Sequence, residues 1–345
     1  MSELRQKGVC LAFGPMSELV IEAVFKYSHE KRYPLMLIAS RNQVDYDGGY
    51  VFDSTEKYAY FIYQMSNIYP LADISLCRDH CGPGFKSFGN NSFESIGETI
   101  ETDLYDAHFD MIHIDLCHLP AEHKEKIEKT CKLIDYAKSI YSQTGFEIGT
   151  DENIGELKFN LPRIEKDIRI IQQHCMPEFY VINTGTLVQS HKNIGRFDPK
   201  DLNLIAASNA IHKLGIKLKS HNCDYLSSRQ IEQSKCVIDA MNIAPQLGVV
   251  QTMTTIKECV KYGINFDDFV NLIIKKLKWK KWLDDSRVFG DRYMAWAIAG
   301  HYHFRSDEYR RIYDELDKVS MPHISDVIMG DVMDVIDNYV HHFDK

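Results

Sequence analysis

Asp79 and His80 stand side by side at the end of an apolar run, Ile74-Ser75-Leu76-Cys77-Arg78, and are followed at once by Cys81-Gly82-Pro83. The run has the length of a buried strand and the Gly-Pro pair breaks it. Burying a carboxylate and an imidazole costs several kcal/mol unless they are paired or hold a metal. An acid beside a histidine at a strand terminus therefore offers proton transfer next to a metal ligand. The plainer alternative is a pair that only caps the following turn. What separates the two readings is whether other strands end in the same way.

They do. Polar residues close nearly every predicted strand: Asn42 and Gln43, Asp79 and His80, Asp115, Thr150 and Asp151, Asn183 and Thr184, His221, and Asn242. Three imidazoles would leave an open coordination position for a substrate oxygen. On that reasoning His80 and His221 are expected metal ligands, with His191, in the loop after the sixth strand, as the first choice for the third. Zinc is the expected ion, with manganese and magnesium as alternatives. The segment His113-Ile114-Asp115-Leu116-Cys117-His118 is a rival source of ligands. His113 lies deeper in its strand, where a hydrogen-bonded core histidine is the expectation. Asp79 is read as the proton acceptor, or as a group that orients His80. Asn42, Gln43, Asp115, Thr150, Asn183, Asp224 and Asn242 are expected to contact substrate. Arg41, Arg78 and Lys86 are candidate cations for a phosphate, alongside the loops at 222–228 and 245–248.

These residues need a scaffold that brings strand ends to one place. Strand patterns at Gly8–Phe13, Leu35–Ala39, Ile74–Arg78, Met111–Asp115, Phe146–Thr150, Phe179–Ile182, Ile216–His221 and Met241–Ala244 alternate with helical patterns. Among the helices, one is expected to start at Asp198-Pro199, with Asp as cap and Pro in the first turn. Eight such units predict a closed (β/α)8 TIM barrel, whose active site lies on the face at the strands' C-terminal ends. No glycine-rich dinucleotide fingerprint follows the first strand, which argues against an open doubly wound sheet. The barrel is expected over 1–264 and a helical C-terminal extension, packing on it or on another subunit, over 265–345.

Composition bounds the partners. The 345 residues are 44% hydrophobic and 26% charged, with a net charge of −9. That balance argues against nucleic acid or an anionic membrane as the main partner. The basic run Lys275–Lys281 reads as a solvated helix face. No apolar run is long enough to cross a bilayer and no signal-peptide pattern opens the chain, so a cytoplasmic protein is expected. The 9 cysteines have no repeated CxxC spacing and read as reduced thiols.

Taken together, the segments Leu19-Val20-Ile21-Glu22-Ala23, Asn42-Gln43-Val44 with Gly48-Gly49-Tyr50, Asp79-His80-Cys81-Gly82-Pro83, Ile112-His113-Ile114-Asp115, Ile148-Gly149-Thr150 and His221-Asn222-Cys223-Asp224-Tyr225 resemble the Z-type subunits of class II tagatose-bisphosphate aldolase. The likeness runs over about residues 8 to 250. It implies a barrel that is either a partner of a separate class II aldolase subunit or a sugar-phosphate 4-epimerase. It implies a sugar or sugar-phosphate substrate, retro-aldol chemistry on a ketose, and a homo-oligomer. On this likeness Asp79 is the acid/base, and His80 and His221 are metal ligands. Asp151, where the family has Glu after Gly-Thr, is a second catalytic candidate. Ile38 stands where the family has an acid before Asn-Gln.

Overall fold

A computed structural model describes residues 8–87, 89–283 and 292–343. The expected tail over 284–291 and 344–345, and the chain start before residue 8, lie outside the described residues. Eight parallel strands close into a barrel: β1 (Leu11–Phe13), β2 (Leu35–Ser40), β3 (Ile74–Cys81), β4 (Met111–Ile114), β5 (Gly145–Gly149), β6 (Phe179–Val181), β7 (Lys217–Ser220) and β8 (Ala240–Ile243). Closure is direct, because β1 pairs with both β2 and β8. The expected (β/α)8 architecture is therefore what the chain adopts.

Strand alternation divides the core in two. Ala12, Met36, Ile38, Cys77, Met111, Phe179 and Ala240 point inward and fill the barrel's interior with Val9. The intervening residues, such as Leu37, Leu76, Ile112 and Ile148, face the surrounding helices. Continuing the inward series toward the C-terminal ends reaches Asp79, His113, Glu147, Lys219 and Asn242, the polar residues at and just beneath the mouth.

The helices that follow the strands are α1 (Glu18–Lys31), α2 (Thr55–Ile68), α3 (Glu94–Tyr105), α4 (His123–Ile140), α5 (Leu161–Ile171), α6 (Leu202–Lys213), α7 (Ser228–Ser234) and α8 (Pro245–Tyr262). Two depart from the sequence reading. α3 carries no expected helical signal, because Ser95, Thr99 and Asp103 share its buried face with Ile96, Ile100 and Leu104 and break the apolar stripe. α6 begins later than Asp198-Pro199: Asp201 is the cap, accepting from the backbone N–H of Asn203 and Leu204, and Asp198-Pro199 forms the preceding turn.

Beyond Gly263, α9 (Asp267–Lys276), α10 (Arg292–Ala299), α11 (Asp307–Val319) and α12 (Ile324–Phe343) follow. α12 packs on α1, α7 and α8. Polar ties fix it there: Tyr339 donates to the Cys223 carbonyl at 2.7 Å and Tyr27 donates to Asp337 at 2.9 Å. Among the described residues, no helix is long and apolar enough to cross a membrane.

Candidate metal centre

In a regular strand adjacent side chains face opposite sides, so Asp79 and His80 should diverge. They do not, because β3 shifts register against β4 between Arg78 and Cys81 and His80 adopts φ 44°. Such a bulge re-aims side chains at a sheet's rim. Both residues turn toward the barrel mouth. Gly82 just beyond has to be glycine, since a Cβ would lie 1.6 Å from the Asp115 carbonyl oxygen.

Three imidazoles and one carboxylate meet there. One ligand atom each from Asp79, His80, His113 and His221 lies within 4.8 Å of all the others. Asp79 Oδ1 is 3.8 Å from His80 Nε2, 3.7 Å from His113 Nδ1 and 3.8 Å from His221 Nδ1. The outer nitrogen of each ring is already committed. His80 Nδ1 meets Asp115 Oδ2 at 2.9 Å, His113 Nε2 meets the Gly149 carbonyl at 2.9 Å, and His221 Nε2 meets Glu147 Oε1 at 2.5 Å. Carbonyls and ionised carboxylates only accept, so each ring keeps a proton on its outer nitrogen, and when neutral it turns an acceptor nitrogen inward.

The inward nitrogens are too close to coexist unaided. His80 Nε2 and His221 Nδ1 are 3.2 Å apart, and two lone pairs at that distance repel unless a positive charge sits between them. Electrostatics agree. Burial works against charge on His80, but Asp79 and Asp115 outweigh it and push the ring up to about 9. Burial is decisive for His221 and pulls it down to about 4, against the pull of Glu147. Asp79, despite its burial, is held well below the usual carboxylate range by His80, His113 and His221. The centre requires a cation or an added proton. Imidazoles each fixed by an outer acceptor are the arrangement that orients metal ligands.

Below the centre lies a charged pair that the sequence reading did not include. Lys219 Nζ contacts Glu147 Oε2 at 2.6 Å, both fully withdrawn from water, and the other Glu147 oxygen holds His221. Lys219 keeps Glu147 ionised, well below its ordinary range even against burial. The available signal was a charged residue at an inward position of a barrel strand, Glu147 in Phe146-Glu147-Ile148 and Lys219 in Leu218-Lys219-Ser220. His113 was legible as a histidine with a core hydrogen bond, which it makes to Gly149, while its second nitrogen accepts from the His80 backbone N–H at 3.3 Å and faces Asp79 Oδ1 at 3.7 Å.

The other expected site residues divide by where their polar atoms go. His191 is exposed, in the turn between the short strands Val188–Gln189 and Lys192–Asn193, and does not join the centre; His113 stands in its place. Asn42 spends its amide on the Phe85 carbonyl and the Ser87 N–H, and Gln43 its carbonyl on Ser40. Asn183 ties the Glu152 N–H to the Lys158 carbonyl. Asp224 caps α8 by accepting from Ala244 and Gln246. These four hold the loops of the mouth. Asp115 supports His80 and also accepts from the Cys117 N–H at 3.0 Å. Thr150 bonds the Val181 carbonyl through its N–H at 3.2 Å. Asn242 Nδ2 reaches Asp79 Oδ1 at 3.4 Å, while its buried Oδ1 has no partner. Asp151 accepts from the Thr186 hydroxyl at 3.1 Å and the Asn153 N–H at 2.9 Å, and burial raises it to about 7.

The candidate phosphate cations are not at the mouth's surface. Arg78 is buried against Asp103 and the carbonyls of Ala39 and Val44, Arg41 against Asp45, and Lys86 between Asp45 and Asp47.

With this geometry in view, comparison with known proteins is informative. The family described as "D-tagatose-1,6-bisphosphate aldolase subunit GatZ/KbaZ-like" matches residues 4–144, the stretch that carries Asp79, His80, His113 and Asp115. The resemblance holds. Among solved structures, a probable tagatose 6 phosphate kinase from Sinorhizobium meliloti 1021 superposes with a TM-score of 0.78 at 15% identity, covering 96% of this chain and 99% of that one. A fructose-bisphosphate aldolase from Campylobacter jejuni gives 0.61 at 12% identity, covering 99% and 91%. At these identities the two structures establish the shared fold. The aldolase-subunit likeness rests on the family match, which ends at residue 144; Glu147 on β5 and His221 just after β7, which complete the centre, lie beyond the matched segment.

Proposed function

We propose that this chain holds a divalent cation, zinc in the first instance, on His80, His113 and His221, and acts on a ketose or ketose phosphate by retro-aldol chemistry, as an aldolase or an epimerase. The observation that carries this reading is the convergence of three inward-facing imidazole nitrogens and the Asp79 carboxylate, each ring braced by its own acceptor. The donor set fits the group: three neutral nitrogen ligands with one open position are what a catalytic zinc takes. Bound there, the cation would polarise a carbonyl oxygen as a Lewis acid.

The chain's own residues supply the rest. Asp79 faces the same point and accepts the proton of the hydroxyl on the carbon β to the ketone. As that proton leaves, the bond between the α and β carbons breaks, the hydroxyl becomes an aldehyde, and the bonding pair passes into the ketone as an enolate. An aldolase releases the aldehyde; an epimerase turns it and re-forms the bond on its other face. Asp151, poised near neutrality by burial, is matched to giving a proton back. Asn242, one end on Asp79 and the other uncommitted, steadies the base and offers an acceptor to a substrate hydroxyl. The test is turnover of the purified single chain on a panel of ketose phosphates with zinc, manganese or magnesium. Metal-dependent cleavage or epimerisation is expected; inertness across the panel with every metal contradicts it.

A second reading is favoured by one word in the family's description, subunit. In it the chain supports a separate class II aldolase and need not turn over substrate. Co-purification with an aldolase chain, together with full support from Asp79→Asn, would favour this reading over the enzyme.

A further inference from the structure

A second group of donors lies on the loops just beyond β4 and β5. Cys117 Sγ, a ring nitrogen of His118 and a carboxylate oxygen of Glu152 all fall within 4.8 Å of one another. We propose that these three residues form a second metal site, for zinc or another borderline-soft divalent ion, separate from the imidazole centre.

The donor types suit such an ion: thiolate, imidazole and carboxylate are its three protein ligands, and three of them leave one position open. The donors are also held in place from behind. The Cys117 N–H is fixed by Asp115 Oδ1 at 3.0 Å, and its carbonyl accepts from Lys126 Nζ at 2.6 Å. His118 lies over Gly84, where a Cβ would come within 2.6 Å of its own Cβ, and its ring packs on Phe85 at 4.7 Å. The Glu152 N–H is held by Asn183 Oδ1 at 2.9 Å. With Asp115 nearby, the surroundings carry two carboxylates, a field that makes a bare thiolate costly and a cation favourable.

The site shares one carboxylate with the centre. Asp115 holds Cys117 with one oxygen and His80 with the other, and Phe85 stacks on His80 at 4.5 Å between ring centres. A cation here would pin the β4 loop to the β5 loop, and those loops carry Asp115 and Asp151. The inference does not rest on the retro-aldol reading, because its ligands and its spectroscopic signature are distinct.

Cobalt titration of the full chain tests it, since cobalt ligated by a thiolate gives a sulfur-to-metal charge-transfer band that imidazole and carboxylate ligands do not. The wild-type chain is expected to show the band and to bind two equivalents. Cys117→Ser should abolish the band and remove one equivalent, whereas His221→Ala should keep the band. Glu152→Gln, at an exposed position, should weaken the band's titration by at least about ten-fold, the lower end of what perturbing a metal's surroundings costs. Absence of the band from the wild-type chain, its survival in Cys117→Ser, or an unchanged titration in Glu152→Gln overturns the site. Loss of the imidazole equivalent with the band intact would count against the proposed function alone.

Discussion

Arg78 and Asp79 are neighbours in β3, both charged and both largely withdrawn from water, yet they belong to different kinds of polar structure. Arg78 points out of the barrel and is fully spoken for: two bonds to Asp103 at 2.5 and 2.6 Å and one each to the carbonyls of Ala39 and Val44. Around it, Arg41, Lys86 and Thr99 all converge on Asp45. That network closes on itself. Asp79 points inward, and its nearest neighbours are three imidazoles, two of which, His80 and His221, bring their inward nitrogens to 3.2 Å and need a proton or a cation between them. Buried charge that is completely paired holds a fold together; buried donors that share one unsatisfied point mark a site. The distinction lies in where the second partner of each group is found, since burial alone is common to both.

The two networks should fail differently when broken. Asp79→Asn is expected to have the largest effect on activity, a loss of turnover of roughly 10²–10⁴-fold with metal retained, because the amide has the same shape but does not accept the proton. Metal titration of the variant checks it: full recovery with excess metal would reduce Asp79 to an orienting role. On the closed side, Arg78→Met should lower folding stability by about 3–5 kcal/mol, since Asp103 is left buried and unpaired. Denaturant midpoints read this, and a further change of Asp103→Leu should restore most of the loss.

Between the networks stands Lys219. Lys219→Met should leave the barrel folded and weaken metal binding by about 10–100-fold, because Glu147 loses the cation that keeps it ionised and His221 loses its fixed proton. Unchanged affinity by equilibrium dialysis would detach the Lys219–Glu147 pair from the centre. A separate effect, read in pH dependence, concerns Asp151. Its carboxyl rises on folding from 3.8 to about 7, so the folded chain binds that proton more tightly than the unfolded one. Its contribution is complete below about pH 4 and is lost as pH rises toward 7. In the metal-free chain, Asp151→Asn should therefore reduce the decline in stability over that interval; an identical decline in the variant would contradict the raised value.

How far the sequence could be read follows the same division. The barrel was legible because eight short apolar runs alternate with helical patterns, and Asp79, His80 and His221 because strand ends signal the mouth of such a barrel. His113 was placed in the core, since depth in a strand does not say that a ring has two nitrogens facing different neighbours. His191 was favoured as a ligand from its position after the sixth strand, yet a short hairpin carries it to the surface. Lys219 and Glu147 lie 72 positions apart, and only barrel closure brings them together. α3 escaped notice because Asp103, Thr99 and Ser95 interrupt its apolar face to serve the closed network, a requirement invisible in the helix's own pattern.

The exchange of His191 for His113 tests the centre most directly. Zinc affinity should be measured by equilibrium dialysis for the wild-type chain, His113→Ala and His191→Ala, in a Cys117→Ser background that removes the second set of donors. The geometry predicts that His113→Ala loses at least about 10–100-fold in affinity, while His191→Ala binds as the wild type does. Wild-type binding by His113→Ala, or a loss confined to His191→Ala, would contradict the centre assembled here from Asp79, His80, His113 and His221.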